Sequence, residues 1–127
     1  MRSLRTTSFA DETILDILSF SEARFGSLAA ARYAALIARA FADLAAGDKE
    51  PLVRWLRYGR RRLGLYHIRH SRVAGAGKGA AVKRPRHLVL FEVTDDAILV
   101  LGLVHETMDR PRALRHTLAQ ASEPEPD

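Results

Sequence analysis

The sequence has no cysteine. Disulfides, thiolate nucleophiles and cysteine metal sites are therefore excluded, and a reducing compartment is expected. It has no apolar run near the roughly 20 residues that span a bilayer. Met1 to Ala10 shows no apolar core of a secretion signal, so a cytoplasmic protein away from the membrane is expected. Aromatic residues are few, with one tryptophan. The most informative absence is local: from Pro51 to Phe91 there is no Asp or Glu.

That same stretch holds Arg54, Arg57, Arg60, Arg61, Arg62, Arg69, Arg72, Lys78, Lys83, Arg84 and Arg86. The flanks carry all the acids. The net charge of +5 is thus concentrated in the middle third. A field of one sign attracts an anion, whether nucleic acid or an acidic protein. A solvated basic face would be the blander explanation, but unopposed charge on this scale works against compactness.

The 127 residues suit one domain with a single modest core. Two helices are expected near the start. Ser8 stands three residues before Asp11 as an acidic capping box, and Ile14, Leu15, Ile17, Leu18 and Phe25 follow at near-helical spacing. Gly26 interrupts, and Ser27 is expected to cap the second helix. There Tyr33, Leu36, Ile37, Ala40, Phe41 and Leu44 make an apolar core stripe, closed by Gly47. Ser3 to Thr7 reads as a short edge strand. Pro51 to Tyr58 suggests a helical turn, because Leu52, Trp55 and Leu56 share that spacing.

Leu65 to His70 alternates like a half-buried strand. Ser71 to Arg84 is Gly- and Ala-rich and reads as a long loop. His87–Val93 and Ile98–Val104 read as strands joined by a Thr94–Ala97 turn, the second apolar throughout and so buried on both faces or central in the sheet. Asp109 to Gln120 is expected to be a helix, and Ser122 to Asp127 a disordered acidic tail. Helices grouped before strands predict an α+β fold, with an N-terminal helical hairpin on one face of a small antiparallel sheet and a short C-terminal helix. The expected domain spans 1–113, with the helix end and tail in 114–127.

Several motifs fail on inspection. Gly75-Ala76-Gly77-Lys78-Gly79 lacks the glycine spacing and the Ser or Thr of a phosphate loop. His67 and His70, three apart on a strand, would face opposite ways. His105 with Glu106 and Asp109 matches no zinc spacing and suits a histidine capping the sheet. No Ser-His-Asp set or carboxylate pair stands out. No metal or cofactor is expected.

The strings in order resemble the RelE/ParE toxins of type II toxin–antitoxin (plasmid stabilisation) systems. Lys83-Arg84-Pro85-Arg86-His87-Leu88-Val89-Leu90-Phe91-Glu92-Val93 looks like that family's basic lead-in to its penultimate strand. Ile98 to Asp109, an apolar strand closed by His105-Glu106-Thr107-Met108-Asp109, looks like the ParE ending. Gly64 to Arg72, Arg24-Phe25-Gly26 and Ala30-Ala31-Arg32-Tyr33 match in position, so the resemblance covers roughly residues 4 to 113.

The resemblance implies a toxin neutralised by a ParD-like antitoxin whose extended acidic and apolar arm wraps it, in a hetero-oligomer. Arg32, Tyr33 and Arg39 would hold that arm. The ParE branch implies inhibition of DNA gyrase by protein binding, without catalysis, with Arg60, Arg61, Arg62, Arg69, Arg84, Arg86 and His87 facing the target. The RelE branch implies an endoribonuclease cutting mRNA in the ribosome. Arg84 and Arg86 would then hold phosphate and His105 would move protons. No tyrosine follows Tyr66, and Asp109-Arg110-Pro111 follows His105, a departure that disfavours the nuclease. A degenerate, non-toxic partner-binding module is the third expectation.

Overall fold

The computed structural model describes residues 2–72 and 82–121. The expected loop and acidic tail lie largely outside them, at 73–81 and 122–127. Strand β1 (Ser3–Thr6) runs into helix α1 (Ser8–Phe25), then α2 (Ser27–Ala46). After a 3₁₀ turn at Glu50–Leu52 come strands β2 (Arg54–Tyr58) and β3 (Arg61–His67). A second 3₁₀ turn (Ile68–Ser71) precedes β4 (His87–Val93), β5 (Ala97–His105) and helix α3 (Arg110–Ala121).

The fold is α+β, as expected, but the sheet is mixed rather than antiparallel. Its order is β1-β5-β4-β3-β2. β1 lies parallel to β5, Ser3 opposite Ala97 and Thr6 opposite Val100, and the other neighbours are antiparallel. Leaving β1, the chain enters the helical hairpin and returns through β2, so β1 and β5 come to run the same way. β5 lies between β1 and β4 and is covered on both faces, with Ile98, Val100 and Leu103 in one apolar layer and Leu101 and Val104 in the other, which accounts for its unbroken apolar run.

The local chemistry differs from expectation in three places. Thr7, not Ser8, caps α1: its hydroxyl oxygen accepts from the Ala10 N–H at 3.0 Å and its O–H donates to the Leu101 carbonyl at 3.1 Å. Asp11 instead accepts from the Thr6 hydroxyl at 2.6 Å. Ser27 caps nothing; Gly26 holds the N-cap position of α2 at φ 94, a conformation L side chains resist. The expected helical turn at Pro51 to Tyr58 divides into the 3₁₀ turn and β2. Pro51 suits the turn, and Arg54 to Tyr58 then pair with β3 across a turn at Gly59, φ 63. The expected strand through His70 stops at His67, whose Nδ1 accepts the Arg69 N–H at 3.1 Å and so starts the 3₁₀ turn.

Two apolar layers result. On one face of the sheet, Tyr66, Val89, Phe91, Ile98, Val100 and Leu103 meet Leu36, Ile37, Ala40 and Leu44 of α2. On the other, Leu63, Leu65, Leu88, Leu90, Leu101 and Val104 meet Leu118 of α3. α1 contributes only Ala10 to the fully buried set. Among the described residues no helix is long and apolar enough to cross a membrane.

Candidate functional site

Three strands deliver histidines to one end of the sheet. His67 ends β3, His87 begins β4 and lies opposite His105, which ends β5. The rings of His87 and His105 meet edge to face, centroids 5.1 Å apart. The next residue, Glu106, ties this end together. Its Oε1 accepts from the Arg86 guanidinium at 2.8 Å and its Oε2 lies 2.9 Å from His67 Nε2. The Glu106 N–H donates to the Arg86 carbonyl at 2.8 Å.

Helix α2 supplies the rest. Tyr33 Oη accepts the Arg86 N–H at 3.1 Å and stands 2.6 Å from His87 Nδ1, so its own proton goes to that nitrogen. Lower on the helix, Asp43 accepts from the Ser71 hydroxyl at 2.7 Å, and Ser71 Oγ accepts from Tyr66 Oη at 2.7 Å. A carboxylate only accepts, which sets the direction of that relay.

The partners also assign the ring tautomers. His67 Nδ1 accepts from Arg69, His87 Nδ1 from Tyr33, and His105 Nδ1 from the Thr107 N–H at 3.2 Å. With all three Nδ1 lone pairs in use, the ring proton sits on Nε2. His67 spends its Nε2–H on Glu106. For His87 and His105, no hydrogen bond to Nε2 exists among the described residues. The sheet end therefore presents N–H donors, which suits holding an anion better than abstracting a proton.

The electrostatics follow from this packing. Burial, with His105 and His67 close by, pushes His87 down to about 4. Bonds from His67 and then Arg86 pull Glu106 down to about 2. Burial raises the hydroxyls of Tyr33 and Tyr66. His70 is lowered by burial and by Arg69.

Of the residues expected to act, Tyr33, Arg86, His87 and His105 come together here. Arg69 and Arg84 are exposed nearby in sequence, on the 3₁₀ turn and beside Pro85. Arg72 links the two segments flanking 73–81, donating to the Lys83 carbonyl at 2.6 Å. Arg60, Arg61 and Arg62 sit at the opposite end of the sheet, at the β2–β3 turn. On α2, Arg32 is half-buried and Arg39 exposed, whereas Tyr33 is turned into the histidine cluster. His67 and His70 are not on opposite sides, as a strand would place them. The 3₁₀ turn sets their rings edge to face with centroids 6.5 Å apart. Sequence reasoning grouped Glu106 with His105 but missed His67 and Arg86 as its partners, and it missed the Tyr66–Ser71–Asp43 relay. Asp109 stays apart, accepting the Arg112 N–H at the start of α3. Among the described residues no three His, Asp or Glu side chains are grouped to hold a metal ion.

The helical hairpin carries a second set of exposed side chains. Leu15, Phe20, Phe25 and Leu28 are 65%, 62%, 68% and 62% exposed. The Arg24 guanidinium stands 5.8 Å from the Phe20 ring centre. No family model matches this chain, and no curated protein matches its sequence.

Proposed function

We propose that this chain is a ParE-like toxin of a toxin–antitoxin pair, acting in the cytoplasm. It arrests its host by binding a protein target, DNA gyrase, and a cognate antitoxin neutralises it. The observation that carries this reading is the exposed apolar surface of the helical hairpin, Leu15, Phe20, Phe25 and Leu28. Leu15, Phe20 and Phe25 of α1 and Leu28 of α2 put large exposed apolar side chains on both helices of the hairpin, which supports a protein-binding role. Arg32 and Arg39 on the adjoining helix would take the acids of an antitoxin arm.

The test is growth of a bacterial host after induced expression, with and without the adjacent open reading frame. Arrest relieved by the neighbour, with DNA breaks and intact mRNA, is expected. Normal growth with folded protein would overturn the reading and leave a non-toxic binding module.

One arrangement favours a second reading, the ribosome-dependent endoribonuclease: His87 and His105 stand side by side next to Arg86. A tautomer change at His105 would free a base, and a phosphate would have to draw the Arg86 guanidinium from Glu106. On this reading His105→Ala abolishes toxicity, antitoxin binding survives, and mRNA is cut at ribosomes in the wild type.

A further inference from the structure

The β2–β3 hairpin carries Arg54, Arg57, Arg60, Arg61 and Arg62. Its registers place its tip outside the rest of the sheet. β3 first pairs with β4 at Leu63, opposite Glu92. Arg61 and Arg62 pair instead with Tyr58 and Arg57 of β2. Gly59 and Arg60 make the turn between them. Residues 57–62 are therefore a two-stranded ribbon overhanging the sheet.

Strand alternation divides its side chains between both faces. Trp55, Arg57 and Arg62 share the face toward the helical hairpin. Arg54, Tyr58 and Arg61 share the face toward α3. Arg61 is held in two-pronged fashion by Glu92, at 3.0 and 2.9 Å. The Arg62 guanidinium lies over the Trp55 ring, 4.2 Å from its centre. Arg54, Arg57 and Arg60 are exposed, and among the described residues none of them meets a carboxylate.

Arg57 and Arg62 stand directly opposite each other. Like charges at opposed positions of a strand pair destabilise it. The stack of Arg62 on Trp55 offsets part of this cost, and an anion set between the two guanidiniums would relieve the rest.

We infer that the β2–β3 hairpin is a duplex-DNA-binding ribbon that enters a groove and grips the phosphate backbone without reading sequence. The major groove admits a two-stranded β-ribbon. Its two walls carry phosphates on both sides of an inserted element. The charges without a carboxylate are Arg57 and Arg62 on one face, Arg60 at the turn and, at the base of the hairpin opposite Leu65, Arg54 on the other face, so phosphates on both walls are met. An acidic peptide, laid along the β2 edge or on one face, would meet only part of that set. Single-stranded nucleic acid needs open aromatic faces for its bases. The hairpin offers Tyr58, 46% exposed, for one base, but Arg62 covers one face of Trp55 and Phe91 packs against the same ring with centroids 5.9 Å apart, so successive bases find no stacking platform. The inference needs neither the antitoxin surface nor the histidine end, although Arg60, Arg61 and Arg62 are among the residues that the toxin resemblance turns toward its target.

The test is fluorescence anisotropy of a labelled mixed-sequence duplex titrated with the full chain at several salt concentrations. Backbone binding of this kind has a dissociation constant of roughly 10⁻⁴ to 10⁻⁶ M at physiological salt. With Arg54, Arg57, Arg60 and Arg62 each neutralising one phosphate, log K falls against log salt with a slope of about −3.6. Affinity then drops on the order of 100-fold from 50 to 200 mM salt. The variant Arg57→Gln/Arg60→Gln/Arg62→Gln is expected to bring the slope to about −1 and weaken binding at least 10-fold at low salt. Arg110→Gln/Arg112→Gln/Arg115→Gln removes the same charge from α3 and is expected to keep the steep slope. Thermal melts of both variants verify the fold. Equal loss in both variants, or none in the hairpin variant, overturns the proposal. So does tighter binding of a single-stranded RNA or of polyglutamate than of the duplex.

Discussion

Where β3 and β5 finish and β4 begins, Glu106 takes up both the Arg86 guanidinium and the His67 imidazole. At the opposite end Glu92 takes up Arg61 alone, while Arg57 and Arg60 face solvent. Both ends come from the same acid-free stretch. The difference lies in what the rest of the chain delivers. β5 brings Glu106 and α2 brings Asp43 and Tyr33 to the histidine end, which becomes a closed network of hydrogen bonds. Among the described residues, no element beyond Glu92 of β4 brings an acid to the hairpin tip. A basic segment in sequence thus becomes structure at one end and a local field at the other.

The largest test of this contrast acts on the strand the two ends share. Gly64 of β3 lies under Phe91, and a methyl group there would run into the Phe91 ring. Gly64→Ala is therefore expected to cost about 3 kcal/mol, because the buried ring has nowhere to move. Urea denaturation measures it. A loss below about 1 kcal/mol would mean that the two ends are not coupled through a tightly packed β3.

Acid should separate the ends next. His87 is held at about 4 in the folded chain against an ordinary 6.5. Its contribution to stability is present above pH 6.5 and is lost as pH falls through about 4, because the unfolded chain binds the proton first. Glu106, at about 2 against an ordinary 4.5, contributes above pH 4.5 and loses that contribution as pH falls through about 2. Melting temperature followed from pH 8 to 2 should show both declines. His87→Gln should flatten the upper one and Glu106→Gln the lower. A melting temperature unchanged between pH 7 and 4 would contradict the buried state of His87.

The smallest effect belongs to the tip. Arg57→Gln removes half of the opposed pair and should stabilise the isolated chain by about 0.3 kcal/mol. The gain should shrink in high salt, where the repulsion is screened. Destabilisation by this substitution would show that the tip resembles the histidine end after all.

Much of the architecture was legible from periodicity. The helical hairpin and the β4–β5 pair repeat at periods that depend only on neighbouring residues, and Gly47 stands in the left-handed conformation its C-cap needs. β2 was not legible, because Leu52, Trp55 and Leu56 share a helix-like spacing and only pairing with β3 selects the strand. The parallel placement of β1 was not legible either, since a four-residue strand carries no mark of a distant partner. For the site, Tyr33 and His87 were each singled out, but their contact joins positions 54 apart. His67 and Glu106 are 39 apart, and the network exists only once three strands align. The overhanging tip depends on register, which side-chain order alone does not reveal.

The bond from Thr7 to the Leu101 carbonyl joins residues 94 apart, and β1 has β5 as its neighbour in the sheet. For a chain emerging from its N-terminus, this delays closure. Helices α1 and α2 can coil at once, because their hydrogen bonds are local, but β1 waits until residues 97–100 have been made. Contacts so distant in the chain slow folding and leave an unpaired strand exposed meanwhile. Translation that stalls before Ala97 therefore leaves Leu4 and the cap of α1 without their docking strand, and the last strand to appear carries the first into place.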